Sequence, residues 1–232
     1  MRIRGKFTKE GDVKFVGHLD TMRMFQRAVK VAKIPVAYSE GFNPHLKVYF
    51  AMPLPVGVES IGEYIEIKTK IDVSPVQVKE TLNNILPKGI RLVDCFVVEE
   101  NAATLMSKVD MALYEIVLNI ENPEKIIKVL EQPSIIITKR NKKKKFVEQD
   151  IKSFILEYAL NQNNEQIILS TKLKAGSKEN LSPELLLEAI FGEKLDTITY
   201  DIKRIELFAE QDEAFIPLKN VDINTLKTMY CA

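Results

Sequence analysis

Two side chains suited to proton transfer near neutral pH stand close together in the sequence: His18 and His45, which are both of its histidines. A neutral imidazole is a natural base for activating a ribose 2'-hydroxyl, so the pair are candidate catalytic residues. No Ser-His-Asp set, metal-ligand spacing or phosphate loop accompanies them. A histidine at a helix start, or after Asn-Pro as here, also commonly serves only as a hydrogen-bonding residue. A larger set of residues suits recognition of a polyanion. Arg2, Arg4 and Lys6 alternate near the N-terminus, Arg23, Arg27 and Lys30 recur at helical spacing, and Arg140, Lys142, Lys143, Lys144 and Lys145 crowd into one short segment. Phe42 and Tyr49 add flat faces on which an unstacked base can lie. Each basic set also fits a plain solvated surface, and Asp20 can pair with Arg23 three residues on.

The charge balance sharpens this reading. The chain has 232 residues and a formal net charge of +1, yet residues 1–50 carry ten Lys or Arg against four Asp or Glu. A polyanion would therefore meet one basic face, because the remainder is net acidic. Hydrophobic content of 46% and charged content of 28% suit a globular chain and exclude disordered, collagen-like and disulfide-scaffold classes. Apolar runs are too short to span a bilayer and Arg2, Arg4 and Lys6 break up any signal-like start, which leads to the expectation of a cytoplasmic protein with no membrane partner. Cys95 and Cys231 stand apart, so no metal and no cofactor is expected.

The elements that must position these residues read as a doubled plan. Arg2–Thr8 alternates as a half-buried strand, and a helix from Gly17 and His18 to about Ala32 carries Met22, Phe25 and Val29 on one face with Arg23, Arg27 and Lys30 opposite. Pro35 stops it. The loop Ser39, Gly41, Phe42, Asn43, Pro44, His45 follows; Gly41 can take positive φ and Pro44 biases Asn43 to an extended form, which predicts one rigid shape. Strands at Lys47–Met52, Tyr64–Thr69 and Ile90–Val98 and a Ser-Pro-capped helix at Ser74-Pro75 complete a β-α-β-β-α-β unit.

The second half repeats the grammar, with another Ser-Pro helix at Ser182-Pro183 before a last strand at Thr199–Ala209. An extra hairpin, Ser134–Thr138 and Phe146–Gln149, carries the lysine cluster. The expectation is an α+β chain of tandem ferredoxin-like (βαββαβ) domains, each an antiparallel sheet with helices on one face. Domain one is residues 1–100, the linker 101–110, and domain two 111–232, with the Lys-rich hairpin inserted and a C-terminal extension. The helix-free face of the first sheet is expected to be open and to carry Arg2, Arg4 and Lys6.

The runs KEGDVKFVGHLD, RAVKVAKIPVAYSEGFNPH and AMPLPVGVES, with Glu63 beyond, resemble the radical-SAM-linked protein family, a bacterial domain of unknown function encoded beside or fused to a radical SAM protein. The hairpin lysines, Asp150 and GSKENLSP are weaker later echoes. The resemblance places Lys9, His18, Asp20, Arg27 and the loop from Ser39 to His45 at motif positions. Gly17 stands where a Ser is expected, Leu46 where a Pro is, and Val31 near where a basic residue is. It implies a radical SAM protein as partner, and this chain has no cluster-binding cysteines with which to do that chemistry itself. The leading expectation is an RNA-binding accessory protein acting with that partner in tRNA or rRNA modification or maturation. The alternatives are a metal-independent endoribonuclease or RNA-modifying enzyme using His18 or His45, and a scaffold that binds the partner without RNA. The lack of glycine from Phe208 to Ala232 counts against the nuclease.

Overall fold

The computed structural model describes residues 1–140, 146–163 and 166–230. Lys142, Lys143, Lys144, Lys145 and Cys231 lie outside the described residues, and the side chain of Arg140 is likewise not described. The first half runs β1 (Arg2–Lys9), α1 (His18–Val31), β2 (Val48–Phe50), β3 (Glu59–Lys68), α2 (Pro75–Asn83) and β4 (Ile90–Val98). The second runs β5 (Met111–Leu118), α3 (Glu124–Leu130), β6 (Ile136–Arg140), β7 (Phe146–Asp150), β8 (Ile155–Asn163), β9 (Gln166–Lys174), α4 (Pro183–Phe191) and β10 (Tyr200–Gln211), followed by β11 (Ala214–Pro217) and α5 (Thr225–Tyr230).

Both Ser-Pro helices start as the capping rule requires. Ser74 Oγ accepts from Gln77 N at 3.3 Å and Ser182 Oγ accepts from Leu185 N at 3.2 Å, satisfying a backbone donor that the first helical turn leaves free. α1 buries Phe25 and Val29 against Ile3 and Phe7 of β1 and Ile65 of β3, and α2 adds Val78 and Leu82 to the same cluster. Among the described residues no helix is long and apolar enough to cross a membrane.

One large, mostly antiparallel sheet carries both halves. Its strand order is β4-β1-β3-β10-β5-β9-β8, with β2 on β3 and β11 on β10, while β6 and β7 form the separate inserted hairpin. The joint is a parallel pairing of β3 with β10, Glu59 opposite Lys203 and Ser60 opposite Arg204. Gly62 makes that approach possible, since a Cβ there would lie 2.4 Å from the Ile205 carbonyl oxygen.

The expected open face of the first sheet is covered, which changes the reading of Arg2, Arg4 and Lys6. Arg4 is wholly buried: its Nε and Nη2 donate to Glu66 Oε1 at 2.9 and 2.8 Å, and its Nη1 to the carbonyls of Leu218 and Val221 at 2.7 and 2.8 Å. Arg2 donates to Glu66 Oε2 at 2.7 Å and to the carbonyls of Ala102 and Ala103 at 2.6 and 2.9 Å. Lys6 pairs with Glu206 at 2.7 Å. Cross-strand register explains the pairing, because Arg4 stands opposite Glu66. The linker and the C-terminal extension then supply carbonyls to the remaining guanidinium donors.

Candidate functional site

α1 and the chain after it build a cavity of about 580 Å³. His18, Met22 and Gln26, each four residues from the last, form its helical wall; His45 and β2 form a second; residues 104–106 of the linker close it, with Arg2 and Glu66 on the sheet side. Both histidines therefore face one cavity, although 26 residues separate them, counted from the sequence. Lys47 and Lys68 also line it and were not singled out in the sequence.

The loop is pinned by its ends. Ser39 N donates to the His45 carbonyl at 2.8 Å, His45 N donates to Ser39 Oγ at 3.0 Å, and Ser39 Oγ lies 2.8 Å from His45 Nδ1. A hydroxyl that accepts from an amide still has its own proton to give. Donated to Nδ1, it places the proton of the neutral ring on Nε2. Gly41 takes φ of 110°, as its place in the turn requires. Phe42 at the tip is fully exposed and Tyr49 is exposed on β2. Arg23 and Arg27 follow the wall residues Met22 and Gln26 directly, so the exposed basic stripe with Lys30 lies about 100° around the helix from the cavity wall and does not line the cavity. Asp20 pairs with Arg23 at 3.0 Å on this exposed face, an interaction of little energetic weight.

Behind His18 lies a cluster of ionisable groups that the sequence only partly signalled. Lys9 and Glu63 are buried and share a small void with His18 and Phe50. Arg204, from β10, donates to Glu63 at 3.1 Å and to the Pro53 carbonyl at 3.0 Å, and its Cζ lies 5.6 Å from the ring centroid of Tyr114. Lys9 donates to the Val16 carbonyl at 2.6 Å. Burial lowers the Lys9 pKa, with Glu63 opposing and Arg204 adding to the shift. Burial likewise lowers the His18 pKa below 6.5; Glu63 opposes this, while Lys9 and Arg204 reinforce it. His18 is thus neutral at physiological pH, set edge-on to Phe50 at 5.6 Å between centroids. Perturbed groups of this kind beside a cleft are candidates for a functional site, and structural ion-pair networks shift pKa values in the same way. Arg204 was missed because an arginine in an alternating strand reads as outward-facing, and nothing local signals that a second strand and Tyr114 enclose it.

The lowered pKa fixes a pH dependence. The unfolded chain takes up the proton more readily than the fold, so stability from this residue is present above 6.5 and is lost as pH falls from 6.5 toward the folded value. Urea midpoints at about pH 7.5 and about pH 5 are expected to drop more for the wild type than for His18→Gln. Equal drops in the two proteins would remove His18 from the account.

Of the residues proposed from sequence, His18, His45 and Arg2 share the cavity wall and Tyr49 also lines it. Arg23, Arg27 and Lys30 are exposed beside it, and Phe42 is exposed on the adjoining loop. Arg4 and Lys6 are elsewhere. Among the described residues no group of three His, Cys, Asp or Glu could hold a metal ion. A family model described as an uncharacterized protein conserved in bacteria (DUF2344) matches residues 2–183, a span that includes the cavity and the loop and stops short of Arg204. No curated protein matches the chain.

Proposed function

The chain belongs to the bacterial DUF2344 family, and from that premise and the geometry of the cavity we propose that it is an RNA-binding accessory protein, which holds an unpaired nucleotide of a tRNA or rRNA for a radical SAM partner enzyme. The observation that carries the reading is the convergence of both histidines on one cavity that Arg2, Lys47 and Lys68 also line. Its volume is within the usual range for small-ligand pockets, and its walls combine apolar Met22, Leu46, Val48 and Phe50 with a few polar groups. An extruded base needs that mixture, while the phosphates on either side need cations such as Arg23, Arg27 and Lys30. Phe42 and Tyr49 offer stacking faces next to the opening. The repeated strand order, β4-β1-β3 with β2 beyond it and then β10-β5-β9-β8, supports reading the scaffold as a duplicated ferredoxin-like unit. The identity of the partner rests on the family resemblance of the sequence motifs.

Affinity purification followed by sequencing of bound RNA and identification of bound proteins tests the proposal. Binding is expected to fall steeply between about 50 and 200 mM salt. The double reversal Arg23→Glu/Arg27→Glu is expected to weaken it by about tenfold or more, with the fold intact because both side chains are exposed. Unchanged affinity would rule out this face, and recovery of the partner protein from nuclease-treated lysate with no RNA retained would favour a scaffold.

A second reading has its own observation. A neutral His18 backed by Lys9 and Arg204 resembles a base beside groups able to stabilise a phosphate, which suits metal-independent RNA cleavage or modification. Incubation of total RNA with the wild type and with His18→Ala and His45→Ala variants separates the two readings; an inert wild type leaves binding alone.

A further inference from the structure

The sheet face that the linker crosses carries a row of cations that packing alone does not call for. Successive strand residues point to opposite faces, so Glu66 and Lys68 of β3 stand on the face of Arg2 and Arg4, while Ile65 and Ile67 pack into the core. Arg2 is directly opposite Lys68 in the register of β1 with β3. On the other side of β3 the ladder runs one residue beyond β2, where Lys68 N donates to the Lys47 carbonyl at 3.0 Å. Arg2, Lys68 and Lys47 are therefore neighbours across three chain segments, and all three line the cavity of about 580 Å³. Like charges side by side on adjacent strands destabilise a sheet unless a counter-charge is supplied. Glu66 supplies it only in part, because its oxygens are taken by Arg2 and Arg4. Lys47 and Lys68 are half-buried, and neither ammonium has an ion pair or a hydrogen bond among the described residues.

The size of the imbalance points to a dianion. Glu100 is the other carboxylate on the cavity wall, and Arg2, Arg4, Lys47 and Lys68 set against Glu66 and Glu100 leave two positive charges unmatched. The backbones of Lys47 and Lys68 are about 5 Å apart, as adjacent strands are, so their ammonium groups can close on different oxygens of one phosphate. A phosphate monoester carries close to two negative charges at neutral pH, whereas a carboxylate or a phosphodiester within a chain carries one. Tyr49 pairs with Glu66 and is thus the diagonal neighbour of Lys68 on the same face, about 7–8 Å away. One ribose bridges that gap. A phosphate held by the two lysines therefore sets the base of its own nucleotide at the exposed Tyr49 ring, which also lines the cavity.

We infer that the cavity takes a phosphorylated end of an RNA, with the terminal phosphate monoester between Lys47 and Lys68 and the terminal base against Tyr49. This rests on the RNA reading proposed above and narrows it from any unpaired nucleotide to a terminal one. The test is calorimetric titration of one mixed-sequence single-stranded RNA in three forms, with a 5'-phosphate, with a 3'-phosphate and with hydroxyls at both ends, beside nucleoside 5'- and 3'-monophosphates. Each protein is read by the ratio of its affinities for phosphorylated and hydroxyl ends, so that a general loss of RNA affinity cancels. The wild type is expected to prefer one phosphorylated end by about tenfold or more, which also assigns the terminus. Lys47→Gln/Lys68→Gln is expected to bring the ratio to about one, with a melting temperature unchanged or raised by up to about 3 °C because the repulsion is gone. Lys47→Arg/Lys68→Arg is expected to keep most of the preference. No preference in the wild type, or one that survives in Lys47→Gln/Lys68→Gln, overturns the phosphate site and leaves RNA binding standing. Binding of a nucleoside monophosphate but of no RNA, lost in the same double variant, overturns the RNA reading and gives the lysine pair to a free phosphate ester. Failure of every RNA and every nucleotide to bind the wild type overturns both. If the double variant melts below the wild type, Lys47→Gln and Lys68→Gln singly decide the matter by the same ratio.

Discussion

Glu66→Ala is expected to cost the fold about 3–5 kcal/mol, the usual range for breaking a buried ion pair by removing one partner. Glu66 is fully buried, and its two oxygens accept from Arg4 and Arg2. Removal leaves the wholly buried Arg4 guanidinium with carbonyl partners and no carboxylate within bonding distance, since Asp222 is 4.0 Å away. For a chain of this size the melting temperature should fall on the order of 10 °C. Glu66→Gln keeps the shape and one acceptor oxygen, and should lie between the wild type and Glu66→Ala. A Glu66→Ala protein melting within about 2 °C of the wild type would show that the pair contributes little to the covered face. The same residues explain why Arg4 is not on an open face: its donors are already spent on Glu66 and on the chain that crosses above it.

That outcome separates what short-range pattern carries from what it does not. The strand at Arg2–Thr8, the Ser-Pro starts at Ser74 and Ser182, and the strand Ile90–Val98 were all readable, because each is fixed by neighbours a few residues away. The parallel joint of β3 with β10 was not readable, since Gly62 and Ile205 meet across some 140 residues and leave no period in the sequence. Without the joint there was no reason to expect the C-terminal extension to lie over β1, and charged alternation was taken for an open face. The site shows the same division. His18, His45 and the Ser39–His45 loop were legible as a constellation, and Lys9 and Glu63 as motif positions. Their assembly into one buried cluster needed Arg204 from the last long strand, which no local signal singles out.

Arg204→Met alone is expected to cost about 3–5 kcal/mol, because it leaves Glu63 buried opposite no guanidinium. The double variant Glu63→Leu/Arg204→Met should recover most of that loss, since well-packed apolar side chains often replace a buried ion pair at little or no cost. Lys9 keeps its hydrogen bond to the Val16 carbonyl in the double variant, and the losses of Glu63 and Arg204 act on its pKa in opposite directions. RNA affinity should not recover with stability. The double variant is expected to bind cellular RNA about tenfold or more weakly than the wild type, because the charges that act on His18 from behind the cavity are then gone. Urea unfolding and RNA titration of the two variants and the wild type give the comparison. A double variant that binds as the wild type does would place the cluster outside the site, and one no more stable than Arg204→Met would show that shape, and not uncompensated charge, sets the cost. Recovery of the fold without recovery of binding is the pattern expected when a buried charge cluster is kept for what it recognises, at the expense of the stability that apolar packing would have supplied.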